Sequence, residues 1–331
     1  MRPFAWHRAE SVEDAVKAAA YGDVRFIAGG TTLLDLMKLD VMRADTLVDV
    51  SALAGQRYAG IEATADGVRL GPLARMADAA EHPLIRRDYP VIAQSLELAA
   101  SPQLRNMASL AGNLLQRTRC GYFRDTSWKA CNKRNPGSGC AALDGFNRMH
   151  AVLGISDACI ATYAGDFAQA LIALDASLDL IGPDGARKLP VAELHRLPGD
   201  TPDIETTLAP GELITAIVVP AAKWTHRSLY LKVRDRASYA FALASAAVAL
   251  DMRGAVVREA RIALGGIATV PWRSREAERV VEGRPLDEKT AAEAADAAFA
   301  GARTRKHNAY KLPLGKHTLV RALLSASRMD V

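Results

Sequence analysis

All four cysteines of this 331-residue chain lie in one window of 40 residues. They are Cys120, Cys131, Cys140 and Cys159. Four thiolates are a complete ligand set for an iron–sulfur cluster or a zinc ion. The stretch between Cys131 and Cys140 is rich in asparagine, glycine and proline, which favour turns and leave the chain free to wrap around a metal centre. The pattern therefore predicts a four-cysteine metal site.

The spacing of the cysteines bears on which metal centre this is. Structural zinc sites usually contain pairs of cysteines two to four residues apart, and the two nearest here, Cys131 and Cys140, have eight residues between them. A structural zinc protein stays open as an alternative from a different class. The tight run of cysteines typical of a [2Fe-2S] ferredoxin motif is absent from the sequence.

The composition is that of a soluble globular protein of two or three domains, with 50% hydrophobic and 24% charged residues. The net charge of +5 comes without a basic stripe, so we expect no nucleic-acid binding. The sequence contains no run of 18 apolar residues, so we expect no membrane span. Residues 1–8 lack the apolar core of a signal peptide. We therefore expect a cytoplasmic protein, or a periplasmic one exported already folded with a signal-bearing partner.

A turn of small residues, Gly29-Gly30-Thr31-Thr32, joins a predicted strand at 24–28 to a predicted helix at 33–39. Glycines permit positive φ and close approach, and N–H groups at a helix start can face a phosphate. The spacing matches neither the dinucleotide fingerprint nor a P-loop. Taken alone, the turn favours an ordinary strand-to-helix connection, and an anion-binding loop is the alternative.

A second turn of this kind spans residues 107–113, where Ser109, Gly112 and Asn113 offer a hydroxyl, a bare backbone and an amide. Taken alone, this segment favours a helix end followed by a turn. Two such turns, followed directly by the cysteines, favour a ligand site.

Hydrophobic periodicity predicts three units along the chain. The first contains a helix at 11–20, with Ser11 as its N-cap, and a strand at 46–50. The second contains a hairpin at 61–70, helices at 76–80, 90–100 and 167–174, a strand at 154–162, and a hairpin at 177–189. The third has strands at 228–233, 240–251 and 256–267, then helices at 273–282, 288–302 and 312–327. Strands followed by helices predict a separate α+β domain.

Three motifs in this order resemble the FAD-binding medium subunit of the xanthine dehydrogenase family of molybdenum hydroxylases. They are Ala28–Thr31, Gln103–Asn113 and Asn308–Lys311. The resemblance covers almost the whole chain and implies an α+β fold. It implies a vanillyl-alcohol-oxidase (PCMH)-type FAD-binding domain of two α/β subdomains, 1–57 and 58–222. A C-terminal flavoprotein domain, an antiparallel sheet with helices, would follow at 223–331.

The cysteines lie in a segment, about 114–163, that most members of this family lack. Two branches have one: the beta subunit of 4-hydroxybenzoyl-CoA reductase and the FAD subunit of periplasmic-type bacterial aldehyde oxidoreductases. In both, the resemblance implies, four cysteines bind a [4Fe-4S] cluster. The runs Arg119–Asp125 and Cys131–Leu143 look more like the aldehyde branch. The reductase branch, with electrons entering through the cluster, stays the alternative.

The resemblance also implies the residues of a flavin site. Asp166 matches a contact to the sugar region of FAD, and Lys232 matches a lysine close to the isoalloxazine, where its charge would favour reduced, anionic flavin. Leu213 and Ile214 match apolar contacts. The remaining implied FAD contacts are Phe26, Ile27, Ala28, Gly29, Gly30, Thr31, Thr32, Leu33, Leu104, Ala108, Ser109, Gly112 and Asn113.

The resemblance implies partners as well. The molybdenum cofactor would reside in a large partner subunit and [2Fe-2S] clusters in a small one, in a heterotrimer. Electrons from the [2Fe-2S] centres would pass through FAD to an external acceptor. The segment Arg236–Phe241 lacks the aspartate common in xanthine dehydrogenases, which favours oxygen or a quinone-like dye over NAD as acceptor.

Overall fold

The computed structural model describes residues 1–55 and 57–331, and three sheets organise the chain. The strands are β1 (Ala5–Arg8), β2 (Val24–Ile27), β3 (Thr46–Asp49), β4 (Ile61–Thr64), β5 (Gly67–Leu70), β6 (Ser177–Gly182), β7 (Gly185–Pro190), β8 (Leu213–Pro220), β9 (Ser228–Val233), β10 (Ala244–Arg253), β11 (Val256–Gly265) and β12 (Trp272–Arg273). The helices are α1 (Val12–Ala18), α2 (Leu33–Lys38), α3 (Met76–Glu81), α4 (Pro83–Asp88), α5 (Pro90–Glu97), α6 (Pro102–Arg105), α7 (Leu110–Leu114), α8 (Gly121–Arg124), α9 (Phe167–Ala173), α10 (Arg275–Val281), α11 (Glu288–Ala298) and α12 (Lys311–Ser327). The predicted mixture of α/β and α+β units is confirmed.

The first sheet is parallel, with the strand order β1-β3-β2. Helix α1 begins as predicted, because the Ser11 side chain accepts a hydrogen bond of 3.1 Å from the N–H of Asp14. The Asp14 carboxylate accepts from the N–H of Glu10 at 3.0 Å. At the end of β2 the chain turns through residues 29–32 into α2, so the glycine turn lies at the carboxyl edge of this sheet.

The second sheet is antiparallel, with the order β4-β5-β8-β6-β7. Its central strand, β8, was not predicted from the sequence. Helix α9 is buried at every residue, because it is apolar on almost all sides. It packs against α5 and against β10 and β11 of the third sheet. This helix therefore joins the second and third sheets and holds in place the residues that precede it.

The third sheet is antiparallel, with the order β12-β11-β10-β9, and α10 to α12 pack on it around an apolar core. Lys311, at the start of α12, is fully buried. Its Nζ donates to the carbonyls of Leu243 at 3.2 Å and Gly266 at 2.5 Å. Among the described residues, no helix has the length and apolar character needed to cross a bilayer.

The predicted strand at 154–162 is wrong. This segment is irregular, with a single bridge between Leu153 and Ala268. The Ser156 side chain accepts hydrogen bonds of 3.2 Å from the N–H groups of both Ala158 and Cys159, which makes a local turn. Side chain-to-backbone bonds of this kind compete with the strand ladder that apolar residues alone would favour.

Candidate cofactor sites

A cavity of about 1140 Å³ lies where the three predicted units meet. Its walls come from the start of α2, from the stretch between α6 and Asp166, and from the loop at 236–242. Among the residues predicted as FAD contacts, Thr31, Leu104, Asn113 and Asp166 line it. The volume is slightly above the usual range of about 300–1,000 Å³ for small-molecule sites, so the cavity is large enough for a dinucleotide.

The two glycine-containing turns pack against each other beside this cavity. A Cβ placed on Gly29 would lie 2.0 Å from the carbonyl oxygen of Met107, next to Ala108, so only glycine permits this approach. Gly30 adopts a φ of +69°, in the left-handed region. The structure therefore brings together two turns that are about 80 residues apart in sequence.

Asn113 supplies an unpaired polar atom to the same place. Its turn is held by Ser109, whose hydroxyl accepts a hydrogen bond of 3.2 Å from the N–H of Gly112. The Oδ1 atom of Asn113 is buried without a hydrogen-bond partner among the described residues. A buried acceptor of this kind is rare unless a ligand or water satisfies it. The cradle therefore fits a polar ligand such as the one the resemblance implies, FAD.

Asp166 and Lys232 form a buried ion pair at the cavity wall. Nζ of Lys232 lies 2.7 Å from a carboxylate oxygen of Asp166, and the two side chains are 1% and 5% exposed. Nζ also donates to the carbonyl of Leu98 at 3.0 Å, and the hydroxyl of Tyr230 donates to Asp166 at 2.7 Å. Burial raises the pKa of Asp166, while the Lys232 ammonium opposes that rise. The Lys232 ammonium therefore pairs with Asp166, and the Asp166 side chain lines the cavity.

Other predicted contacts place their side chains in apolar cores. Phe26, Ala28 and Leu213 pack with the core around α1, and Ile27 and Leu33 with the core beneath α2. Ile214 and Ala108 belong to the large core of the second sheet. Thr32 directly precedes α2 without capping it through its side chain. A direct contact of these side chains with flavin remains a prediction.

Charged and aromatic residues that the sequence did not mark as ligand contacts line much of the cavity. Asp35 accepts hydrogen bonds from Arg124 at 2.7 and 3.0 Å and from Arg119 at 3.2 Å. The Arg124 guanidinium lowers the pKa of the Asp35 carboxyl. Arg119 lies over the ring of Phe241, 5.3 Å from its centroid. The aromatic residues of the wall are Tyr122, Trp128, Phe146, Tyr163, Tyr239 and Phe241. Only one feature of the sequence could have indicated Arg119 and Arg124 as cavity residues, namely their position on either side of Cys120.

The four cysteines line a second, narrow cavity next to the first. All four are free thiols, and Cys131 and Cys140 face each other across an antiparallel bridge. Cys120 lines both cavities. In the part of the chain that the structure describes, no three histidine, cysteine, aspartate or glutamate side chains converge on a single ion position.

Donors surround the sulfur atoms. The N–H groups of Tyr122 and Phe123 face the Cys120 sulfur, and the N–H of Ala161 lies 3.4 Å from the Cys159 sulfur. Burial raises the pKa of Cys120 to about 12 and that of Cys159 to about 11. A coordinated thiol is deprotonated by its metal, and N–H donors stabilise the resulting charge on sulfur. Four thiols lining one cavity with such donors fit an iron–sulfur cluster.

Ion pairs attach the cysteine segment to the second sheet. Glu205 pairs with Arg117 at 2.6 Å and with Lys133 at 2.7 Å. Burial raises the pKa of Glu205, but the two cations outweigh burial and lower it overall. Lys133 lies beside Cys131 and lines the cysteine cavity, so this half-buried triad fixes one wall of that cavity.

Comparison with known proteins identifies the family. The FAD binding domain in molybdopterin dehydrogenase matches residues 2–222, and the CO dehydrogenase flavoprotein C-terminal domain matches residues 229–326. The chain is similar to the aldehyde oxidoreductase FAD-binding subunit PaoB of Escherichia coli (strain K12), with 47% identity over 98% of this chain and 99% of that protein. It is 28% identical to the carbon monoxide dehydrogenase medium chain of Afipia carboxidovorans, over 86% of this chain and 81% of that one.

Solved structures agree with this result. A chain of carbon monoxide dehydrogenase from Hydrogenophaga pseudoflava superposes with a TM-score of 0.76 and 25% identity, covering 98% of each chain. The PCMH-type FAD domain with a C-terminal flavoprotein domain, predicted from the sequence, is confirmed. The chain therefore belongs to the FAD-binding medium subunits of the molybdenum hydroxylase family and is a subunit of an oxidoreductase.

Proposed function

We propose that this chain is the FAD- and [4Fe-4S]-binding electron-transfer subunit of a heterotrimeric, molybdenum-containing aldehyde oxidoreductase. Its partners are a large subunit with the molybdenum cofactor and a small subunit with [2Fe-2S] clusters. Electrons taken from the [2Fe-2S] centres leave through this subunit to an external acceptor.

The observation that carries the proposal is the position of Cys120. This residue lines both the large cavity and the narrow cavity of the four cysteines. Two redox groups in these cavities would be separated by little more than one side chain. Such proximity supports electron transfer between them, and a metal centre with a purely structural role would not require it.

The large cavity contains the groups that hold a flavin nucleotide. The turn at 29–32 and the unpaired Asn113 oxygen offer polar contacts, while the Asp166–Lys232 pair fixes a charged wall. FAD, when bound, supplies the exchange between one-electron and two-electron chemistry. The aromatic wall and the neighbouring arginines offer stacking and charge contacts to a bound ligand.

The aldehyde assignment rests on the relative with 47% identity, whose name gives that activity. The acceptor is proposed from the loop at 236–242, which lines the cavity. This loop presents Arg236, Tyr239 and Phe241 and has no acidic residue. A small or aromatic acceptor, oxygen or a quinone-like dye, suits such a wall better than NAD.

The test is an anaerobic analysis of the complete complex with Cys131→Ser, compared with Ser127→Ala, an exposed residue of the same segment. We expect Cys131→Ser to lose about four irons per chain, the content of one [4Fe-4S] cluster, and to retain flavin. If Cys131→Ser loses zinc and no iron, the chain is the structural zinc protein of the alternative hypothesis. Wild-type reduction of a hydroxybenzoyl-CoA thioester, without aldehyde oxidation, would replace it by the reductase alternative.

A further inference from the structure

His150 occupies the wall between the two cavities. Its Nε2 atom lies 3.1 Å from the sulfur of Cys120. The residue is 6% exposed and lines the large cavity. The ring packs near Tyr122, with 6.1 Å between the centroids. His150 is thus in direct contact with the one cysteine identified above as common to both cavities.

The hydrogen bonds around His150 determine which ring nitrogen carries the proton. The Nδ1 atom is buried and has no partner among the described residues. A cysteine bound to a metal is a thiolate with no proton to donate, so a hydrogen bond between Nε2 of His150 and a ligated Cys120 requires the proton on Nε2.

The backbone of His150 is fixed from two sides. Its N–H donates to the carbonyl of Asn147 at 3.0 Å, and its carbonyl accepts from Nδ2 of Asn308 at 3.4 Å. Asn308 is fully buried and also donates to the carbonyl of Ala151 at 3.1 Å. The position of the imidazole therefore depends on the C-terminal unit as well as on the cysteine segment.

We propose that the Nε2–H of His150 donates a hydrogen bond to the Cys120 thiolate and thereby raises the reduction potential of the cluster proposed above. This inference rests on the proposed function, since it needs that cluster. Reduction adds negative charge, which spreads onto the cysteine sulfurs. A donor at one sulfur stabilises the reduced state more than the oxidised state. His150 is a positioning and tuning residue, since it acts through Cys120.

The effect can be scaled from the free energy of one hydrogen bond to a charged group. Such a bond contributes about 1.5 kcal/mol, which corresponds to roughly a tenfold change in the equilibrium constant for reduction. For a one-electron couple, a tenfold change equals about 59 mV. The bond is present in both oxidation states and only its difference between them shifts the potential, so removal of the donor should lower the potential by up to about this amount.

The experiment is a redox titration of the complete complex, following the fast-relaxing EPR signal of the reduced cluster, with iron measured on every sample. His150→Leu should titrate at a more negative potential, by up to about the equivalent of a tenfold change in equilibrium constant. His150→Gln retains an N–H donor, so its cluster should titrate close to the wild-type potential. His82→Leu is the matched control, because His82 also has a buried, unpartnered Nδ1 atom but lies outside the cysteine segment.

A second measurement does not depend on the stability of a variant. In wild-type complex labelled with ¹⁵N-histidine, pulsed EPR should detect a histidine nitrogen coupled to the reduced cluster. An iron-loaded His150→Leu complex with unchanged potential, or a wild-type cluster without this coupling, would overturn the role of His150. A wild-type complex without iron beyond that of the [2Fe-2S] centres would instead overturn the proposed function.

Discussion

Replacing Lys232 by methionine should destabilise this protein strongly. The substitution removes the ammonium from a pair whose side chains are only 1% and 5% exposed. Asp166 would then retain the hydrogen bond of 2.7 Å from the Tyr230 hydroxyl. Breaking a buried pair by removing one partner costs about 3–5 kcal/mol. That is a large part of a typical free energy of unfolding of about 5–15 kcal/mol.

The loss of stability caused by Lys232→Met should increase with pH. Burial already raises the pKa of Asp166 above its ordinary value of 3.8, and the variant lacks the ammonium that opposes this rise. The folded variant then binds a proton more readily than the unfolded chain, so its stability falls as pH rises above 3.8. The slope is at most about 1.4 kcal/mol per pH unit for one group. The variant should be closer to wild type at pH 5 than at pH 8.

Urea unfolding at these two pH values, followed by tryptophan fluorescence, provides the measurement. Lys188→Met is the control, because Lys188 is an exposed lysine on strand β7. The double variant Asp166→Asn/Lys232→Met should lose less stability than the sum of the two single variants, since neither charge is left alone. A loss below about 1 kcal/mol at pH 8, the range of exposed pairs, would refute the reasoning, as would a loss independent of pH.

Two further predictions concern the walls of the cavities. Gly29→Ala should lower the flavin-to-protein ratio of the purified complex several-fold, because the new Cβ would lie 2.0 Å from the Met107 oxygen, whereas Gly301→Ala, in open space, should leave that ratio unchanged. The ion pairs of Glu205 should stabilise the fold fully above its ordinary pKa of 4.5 and be lost as pH falls through the lower folded value. Acid titration of the urea midpoint should therefore show a steeper decline for wild type than for Glu205→Gln, and equal slopes would contradict the assigned pairing.

The sequence predicted those parts of the site that depend on local structure. The N-cap at Ser11 and the turn at 29–32 follow from residue preferences within a few positions, and both are present. The grouping of the cysteines followed from their rarity. In each case the signal lies within one short segment of chain.

The sequence could not reveal contacts made between distant segments. The Asp166–Lys232 pair joins residues 66 positions apart, and Asp35 meets Arg124 over 89 positions. Phe26 and Leu213 pack against the core around α1, and the sequence cannot separate that role from the predicted flavin contact, because an apolar side chain has the same signature in a core as at a ligand. The strand prediction at 154–162 failed because the side chain of Ser156 competes for backbone donors.

The order in which the cavity walls are made along the chain has a consequence for biosynthesis. The large cavity takes its walls from residues as early as Thr31 and as late as Gly266. Between Asp166 and Gly266, roughly 100 residues must still be translated, which takes about 5–20 s at typical rates. A nascent chain therefore has no closed flavin cavity while its first two sheets form. We therefore expect a ligand of this cavity to bind late, after most of the polypeptide has left the ribosome.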